Sequence, residues 1–488
     1  MTTSSIPSAL DHLASETLRL LGPAPDNWVP DRPGIDHNVA IIGGGQSGAA
    51  YAFALRRAGI GRVSVLDAAP DASQAGVWRT RARMHKLRTP KNLVGPELSL
   101  PTLGFQAWFE ARHGTEAYAA IDRIPRTVWA DYLDWFRSFL GVQVRYGTRL
   151  VRIEPVTGGP FAHFRLHLEA GGQASIETAR KIILANGVAG NGEPFVPAVL
   201  AAAVQAGRAA HTADAIDFAA LRGRAVAVVG AAASAFDAAA TALEAGAASV
   251  HLFARRDHIA ATPVSRIRGY PGIYDNYHAL PDEVRWQQAL RYRRVGSTPP
   301  QDSVERVLKF ANFHLHLSAA WRSARIDADG IEARVGDETF RFDYAIAGTG
   351  YRVEPGARPE LADIAPYILR WRDHFQPPVE ARDDELGAAP YLGAGLHYLQ
   401  KRPGSAPWLH DIHVQNPAGF ASTGVPLGDV PSMRRDIPSA VAQISRDLAL
   451  TDLPLHLQRI AGEVAPDYGP ELYAGALWQG HKAKSLVD

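Results

Sequence analysis

The chain contains no cysteine among its 488 residues. Disulfides, thiolate metal ligands and a cysteine nucleophile are therefore excluded. It has no excess of either charge: 51 Lys and Arg stand against 50 Asp and Glu, a formal net charge of +1. That balance gives no electrostatic footprint for nucleic acid and no basic run for a membrane surface. The opening MTTSSIPSALDHLASETLRLLG lacks a basic first segment and a long apolar stretch, so it does not read as a secretory signal. Long apolar runs are missing elsewhere too. The Ala/Val-rich stretch 225–250 is interrupted by Asp237 and Glu244 and carries a strand–turn–helix pattern, which excludes a membrane span there. The expectation is a cytoplasmic protein. With 46% apolar and 21% charged residues the composition is that of a soluble globular chain, long enough for about two to four domains.

Two strand–turn–helix–strand units stand out. The first, HNVAIIGGGQSGAAYAFALRRAGIGRVSVLD, spans 37–67 and holds Gly43, Gly45 and Gly48 in G-x-G-x-x-G spacing. Gly43 permits the tight turn, Gly45 lets the backbone approach a pyrophosphate, and Gly48 lets the helix pack close to the strand. The helix N-terminus offers unpaired N–H groups to the phosphates. Asp67 ends the next strand, about 20 residues on, where a carboxylate accepts ribose hydroxyls. The second unit spans 224–255. Its turn, GAAASA, keeps Gly230 but has Ala232 and Ala235 in the second and third glycine places. Ala235 is a mild change, since that place governs only helix–strand packing. Ala232 narrows the approach for a pyrophosphate, and Ser234 offers a hydroxyl in partial compensation. Its second strand ends in Arg255 and Arg256. Asp67 suits a free 2′-hydroxyl, whereas an arginine pair suits a 2′-phosphate. The first unit therefore reads as an FAD site and the second as an NADPH site with loosened phosphate contacts. Alternating stretches between 142 and 184 suggest an antiparallel meander beside a parallel sheet.

Two such units in this order, joined by strands ending ILANG (183–187) and IAGTGY (346–351), resemble the flavin-containing monooxygenase superfamily, which includes N-hydroxylating and Baeyer–Villiger enzymes. The likeness covers nearly the whole chain past residue 38. AGVWR, with Gly76, Trp78 and Arg79, is similar to the family's G-G-x-W stretch beside the flavin. KLRTPKNL (86–93) falls where the family has its loop over the flavin ring, which brings in Thr89. GVPLGDVPS, with Gly428 and Asp429, resembles the late flavin-contacting segment. The linker fingerprint survives as Gly207 and His211, with Gln205 in place of its Phe.

The resemblance implies an α/β fold of two Rossmann-like three-layer domains, with the NADPH domain inserted into the FAD domain. The expected partition is an N-terminal helix and linker (1–37), an FAD domain (38–187 and 347–488) and an NADPH domain (188–346) carrying an aromatic-rich insertion at 257–320. It implies FAD and NADPH as cofactors, O₂ and a small molecule as partners, and no metal. The implied reaction passes through a flavin C4a-(hydro)peroxide that places one oxygen on the substrate by N- or S-oxygenation or Baeyer–Villiger insertion. Arg88 is the residue assigned an electrostatic role toward a peroxide anion, the alternatives being an FAD phosphate contact or a core ion pair. Two other readings share the frame: a reductase passing electrons to a quinone or protein, and a flavin-binding module without activity. His314 and His316, and His410 and His413, read as structural histidines or, for the second pair, as residues near the flavin.

Overall fold

A computed structural model of the chain describes residues 8–264 and 270–478. Its first sheet is built on the strand His37–Ile42, whose last five residues are buried. On one side lies Val63–Leu66, parallel, in register from Val39–Val63 to Ile42–Leu66. On the other lies Gln173–Leu184, also parallel, from His37–Ala179 to Ile42–Leu184. That second strand serves two layers. Its apolar half, KIIL, is buried in the parallel sheet, while its polar half, QASIET, is exposed and closes an antiparallel meander with His163–Ala170 and Thr148–Val156. Val144–Arg145 and Ile412–Val414 complete the seven strands.

The second sheet has five strands, all parallel, in the order Ala209–His211, Tyr344–Ala347, Ala225–Val229, Ser249–Phe253, Phe313–His316. The central AVAVV is a short continuous apolar run, as a strand covered on both faces requires. A three-stranded antiparallel layer (Trp321–Asp327, Gly330–Val335, Glu338–Phe342) lies on one face, with Trp321, Phe340 and Phe342 edge-on to Phe253. Between the sheets, Gly192–Pro194 and Tyr351–Val353 pair antiparallel, so the two passages of the chain run side by side.

The stretch 257–320 divides in two. The helix Gln301–Leu308 and the strand Phe313–His316 continue the regular α/β pattern of the second sheet. The part outside that pattern is 257–300, carried by the helix Asp282–Val295; residues 265–269 of it lie outside the described residues. The helix Met433–Thr451 is followed by another, Leu453–Ile460. Among the described residues no helix is long and apolar enough to cross a membrane.

Candidate active site

Both glycine turns sit where strand order reverses, the place where open α/β sheets bind ligands. In the first sheet the chain runs outward from His37–Ile42 through Val63–Leu66 and returns on the other side as Gln173–Leu184. Gly43, at φ +115°, lies at that switch, and a Cβ there would overlap the carbonyl oxygen of Ala185. In the second sheet Gly230, at φ +121°, lies at the equivalent switch, and its Cβ would overlap the carbonyl oxygen of Gly348. Each turn is therefore closed by the end of the strand across the reversal.

The helices following these turns, Gln46–Arg57 and Ala233–Glu244, begin at Gly45 and Ala232 with no side-chain cap. Their first N–H groups are left for an anion. A Cβ on Gly45 would meet nothing within 4 Å, so its open side is toward the ligand. Gly48 does what its place in the motif demands, because a Cβ there would overlap the carbonyl oxygen of Gly43.

The second unit reaches the same helix–strand closeness differently. A Cβ on Gly348 would lie 2.6 Å from the Ala235 methyl. The space that glycine leaves on the helix in the first unit is left on the adjoining strand end in the second. Sequence reasoning passed over Gly348, although the G in IAGTG was visible.

Asp67 already accepts hydrogen bonds from the amides of Gly44 (2.7 Å) and Ala69 (2.8 Å). A carboxylate has about four acceptor positions, so two remain for ribose hydroxyls. Gly45, Gly76, Trp78 and Arg79 converge on one cleft with roughly 300 Å³ of open space, together with Gln46, Leu133 and Arg137. Arg79 is not a free cation there. It pairs with Asp131 at 2.5 Å and Asp134 at 2.7 Å on the helix Arg126–Phe139, which fixes the wall of the cleft.

Gly428, at φ +83°, joins the same neighbourhood: its carbonyl accepts from Gln46 Nε2 at 2.7 Å, and Gln46 Oε1 accepts from Trp129 Nε1 at 3.1 Å. Gln46 thus ties the late segment onto the first turn, a role not read from the sequence. Asp429 caps the turn that leads into Met433–Thr451, accepting from the Ser432 amide at 3.1 Å. Beside Gly428, Gln415 is buried, with its Oε1 taken by Tyr51 and its Nε2 without a protein partner. An open cradle, uncapped helix ends and an orphaned buried donor fit a bound dinucleotide at the first turn.

The arginine pair of the second unit divides. Arg256 is spent on the protein, donating to the carbonyls of Val295 (2.7 Å) and Arg293 (3.5 Å) at the end of Asp282–Val295. Arg255 is exposed and, among the described residues, has no hydrogen-bond or ion-pair partner. Ser234 is exposed on the first turn of its helix.

Arg88 and Thr89 lie on the strand Lys86–Pro90. Arg88 keeps an exposed surface yet lies so deep between the units that desolvation is the main influence on it, lowering its pKa against the opposing pull of Asp237, Tyr292 and Asp302. No carboxylate is within ion-pair range of it among the described residues, so the core ion pair considered for it does not form. Asp237 is satisfied by Ser303 (2.7 Å) and Arg306 (3.2 Å), and burial raises its pKa.

His410 turns away from this region, while His413, buried on the strand Ile412–Val414 two residues before Gln415, bonds the Gly395 carbonyl through Nδ1 at 2.7 Å. His410 bridges Asp411 and Asp447, and Asp447 stands 14 residues into Met433–Thr451, about 20 Å from the helix start. His314 and His316 do share a strand face, joined there by His251, whose Nδ1 lies 2.9 Å from His316 Nε2.

Comparison with known proteins bears on what this geometry serves. Residues 117–309 match the family L-lysine 6-monooxygenase/L-ornithine 5-monooxygenase, and residues 40–189 match the FAD-NAD(P)-binding family. An FAD-dependent urate hydroxylase of Xanthomonas campestris pv. campestris is 37% identical over 446 residues, 91% of this chain and 93% of that protein. An ornithine hydroxylase from Pseudomonas aeruginosa shares the fold with TM-score 0.65 at 20% identity, over 85% of this chain and 99% of that one. An L-lysine 6-monooxygenase from Pseudomonas syringae does so with TM-score 0.63 at 17% identity, over 85% and 99%. The chain therefore belongs to the family of FAD- and NADPH-dependent flavoprotein monooxygenases that includes the urate hydroxylase.

Proposed function

We propose that the chain uses NADPH and O₂ to hydroxylate a small planar anion of the urate class. The observation that carries this is the 37% identity, along nearly the full length of both chains, to a protein named as a urate hydroxylase. Arg88 supports it, as a partly exposed cation with no ion-pair partner among the described residues, whose pKa desolvation lowers. FAD, reduced by NADPH, supplies the oxygen-activating chemistry; this chain's residues bind, orient and shield.

The uncapped amides at Gly45 and Gln46 hold the FAD pyrophosphate, on the close backbone that Gly43 and Gly48 permit, Asp67 holds its ribose, and the wall made by Gly76, Trp78, Arg79, Thr89, Gly428 and Asp429 meets its remaining surface. The amides after Gly230 and Ala232, with Ser234, take the NADPH pyrophosphate, and Arg255 rather than Arg256 takes the 2′-phosphate. Arg88 stabilises negative charge that develops during oxygen transfer, as a fixed cation in a water-poor site does. In this reading the FAD-binding unit comprises 38–187 and 347–488, the NADPH-binding unit is 188–346, and the enzyme works in the cytoplasm, where NADPH is regenerated.

The test is an oxygen-electrode and spectrophotometric assay of the yellow holoenzyme with urate. Urate should accelerate NADPH oxidation, with NADPH, O₂ and urate consumed in equal amounts. Urate that is neither consumed nor stimulatory would remove the substrate assignment.

A further inference from the structure

A second opening of roughly 400 Å³ lies between the helix Asp282–Val295 and the segment entering the flavin-contacting stretch. It is lined by Val264, Tyr274, Gln288, Arg291, Tyr292 and Gly424. Arg435 ties its wall to the stretch before Gly428, donating to the carbonyls of Tyr274 and Thr423. Gly424 lies four residues before Gly428, which is bonded to the first glycine turn, and Tyr292 is among the groups acting on Arg88.

Gln288, Arg291 and Tyr292 stand at i, i+3 and i+4, so one helix face presents all three. The other arginines of this helix are engaged. Arg285 pairs with Asp282, Arg293 with Asp383 (3.0 Å) and Glu385 (2.7 Å), and Arg294 donates to the carbonyl of Glu380 at 2.5 Å. Among the described residues Arg291 has no such partner and faces the opening, and Gln288 beside it has none either. Among the described residues the remaining lining offers the rings of Tyr274 and Tyr292, and no acidic side chain.

From this we propose that the opening is the substrate pocket and that Arg291 and Gln288 together read the edge of a planar heterocyclic anion, a deduction that rests on the urate-class reading above. A guanidinium fork pairs with an anionic carbonyl–nitrogen edge through two parallel N–H bonds. A carboxamide supplies one donor and one acceptor, which complements a neighbouring C=O and N–H of an imide. The tyrosine rings cover the flat faces. An aliphatic diamino acid is disfavoured here, because only its carboxylate would pair with Arg291 and its ammonium groups would find no carboxylate among the described lining residues.

The experiment is a titration of the oxidised holoenzyme with urate, followed by the flavin difference spectrum, with L-ornithine as the amine comparison. Arg291→Ala should weaken urate about ten- to a hundredfold, the range for losing a hydrogen-bonded charge, and Gln288→Leu by about two- to tenfold. Arg291→Lys should fall between wild type and Arg291→Ala, since charge remains and the fork is lost. Gln287→Ala, whose side chain bonds Glu283 on the exposed helix surface, should bind urate as wild type does. Flavin content and melting temperature establish that each variant is folded. Wild-type affinity in both Arg291→Ala and Gln288→Leu, while wild type consumes urate, overturns the pocket and leaves the substrate class standing. Failure of the wild-type enzyme to bind urate, or tighter binding of L-ornithine, overturns both.

Discussion

Gly348→Ala probes whether the second turn has decayed or has moved its glycine. The added Cβ would sit 2.6 Å from the Ala235 Cβ and 2.8 Å from its Cα, far inside the roughly 3.5–4.0 Å optimum for carbon pairs. Neither neighbour is the end of a flexible side chain, and Ala235 is fully buried. Overpacking of this kind costs about 1–3 kcal/mol. Ala235→Gly alone removes a buried methyl, about 0.8 kcal/mol, and places glycine in a helix, about 1 kcal/mol. Independent effects would add to roughly 3–5 kcal/mol in the double variant. Moving the methyl from helix to strand removes the 2.6 Å contact but keeps the 2.8 Å contact with the Cα of residue 235, so the clash is relieved in part and about 2–4 kcal/mol of loss remains. The cycle should therefore show a favourable coupling of about 1 kcal/mol. Thermal unfolding of all four proteins reads the coupling, and KM for NADPH reads the position of the helix end. Gly348→Ala should raise KM for NADPH, and adding Ala235→Gly should lower it again. Additive losses within about 0.5 kcal/mol, or a Gly348→Ala protein with wild-type stability and KM, would refute the reasoning.

Other substitutions separate folding from binding. Gly45→Ala meets open space at a φ of −71°, so it should lower the apoprotein melting temperature only slightly, as alanine is the poorer N-cap, while lowering FAD content on purification. Gly48→Ala runs into the backbone at Gly43 and should cost both stability and flavin, by several kcal/mol as a buried overlap without a yielding neighbour. Arg255→Ala should raise KM for NADPH about ten- to a hundredfold with little change for NADH, as loss of a charged hydrogen bond to the 2′-phosphate requires. Arg256→Ala should instead lower the melting temperature, because it frees two carbonyls at the end of Asp282–Val295. Burial, reinforced by His314 and His316, lowers the His251 pKa from 6.5 to about 4. The unfolded chain therefore takes up a proton first as pH falls, and stability present above pH 6.5 is lost progressively toward pH 4. His251→Asn should flatten that part of a melting-temperature profile.

The parts of the molecule legible in the sequence are those set by neighbours in the chain. HNVAIIGGGQSG shows a buried strand, a turn and a helix start within twelve residues, and Gly43 and Gly48 have their geometric reasons within that span or at the strand end beside it. The two faces of QASIETARKIIL likewise show as a change from alternation to an apolar run. What stayed hidden depends on which distant segment packs where. Arg255 and Arg256 look alike in the sequence; the helix ending at Val295 decides which is spent. Arg79 reads as a free cation until Asp131 and Asp134 are brought to it from a helix about fifty residues on. HDIH suggested nearness to the flavin by its loop, but Asp447 draws His410 toward the far end of Met433–Thr451.

The two turns also differ in how they are enclosed, and the difference matches what each cofactor must do. Gln46 locks the first turn beneath Gly428 with one end of its amide and to Trp129 with the other. Leaving this site requires breaking contacts between elements more than 380 residues apart. Around the second turn Ser234 and Arg255 are exposed, and Arg255 is unpaired among the described residues. A flavin that remains through every turnover needs the first kind of site, and a nicotinamide that must arrive reduced and depart oxidised needs the second. The alanines of GAAASA then require no account as damage. With Gly348 making room for Ala235, the helix end stays close to the strand, and under the proposed assignment Ala232 would trim affinity for NADPH, whose oxidised form the cycle must release. Ala232→Gly follows as the complementary change: it should tighten NADP⁺, since glycine is also the better residue at a helix N-cap, and it should slow turnover wherever NADP⁺ release limits the rate.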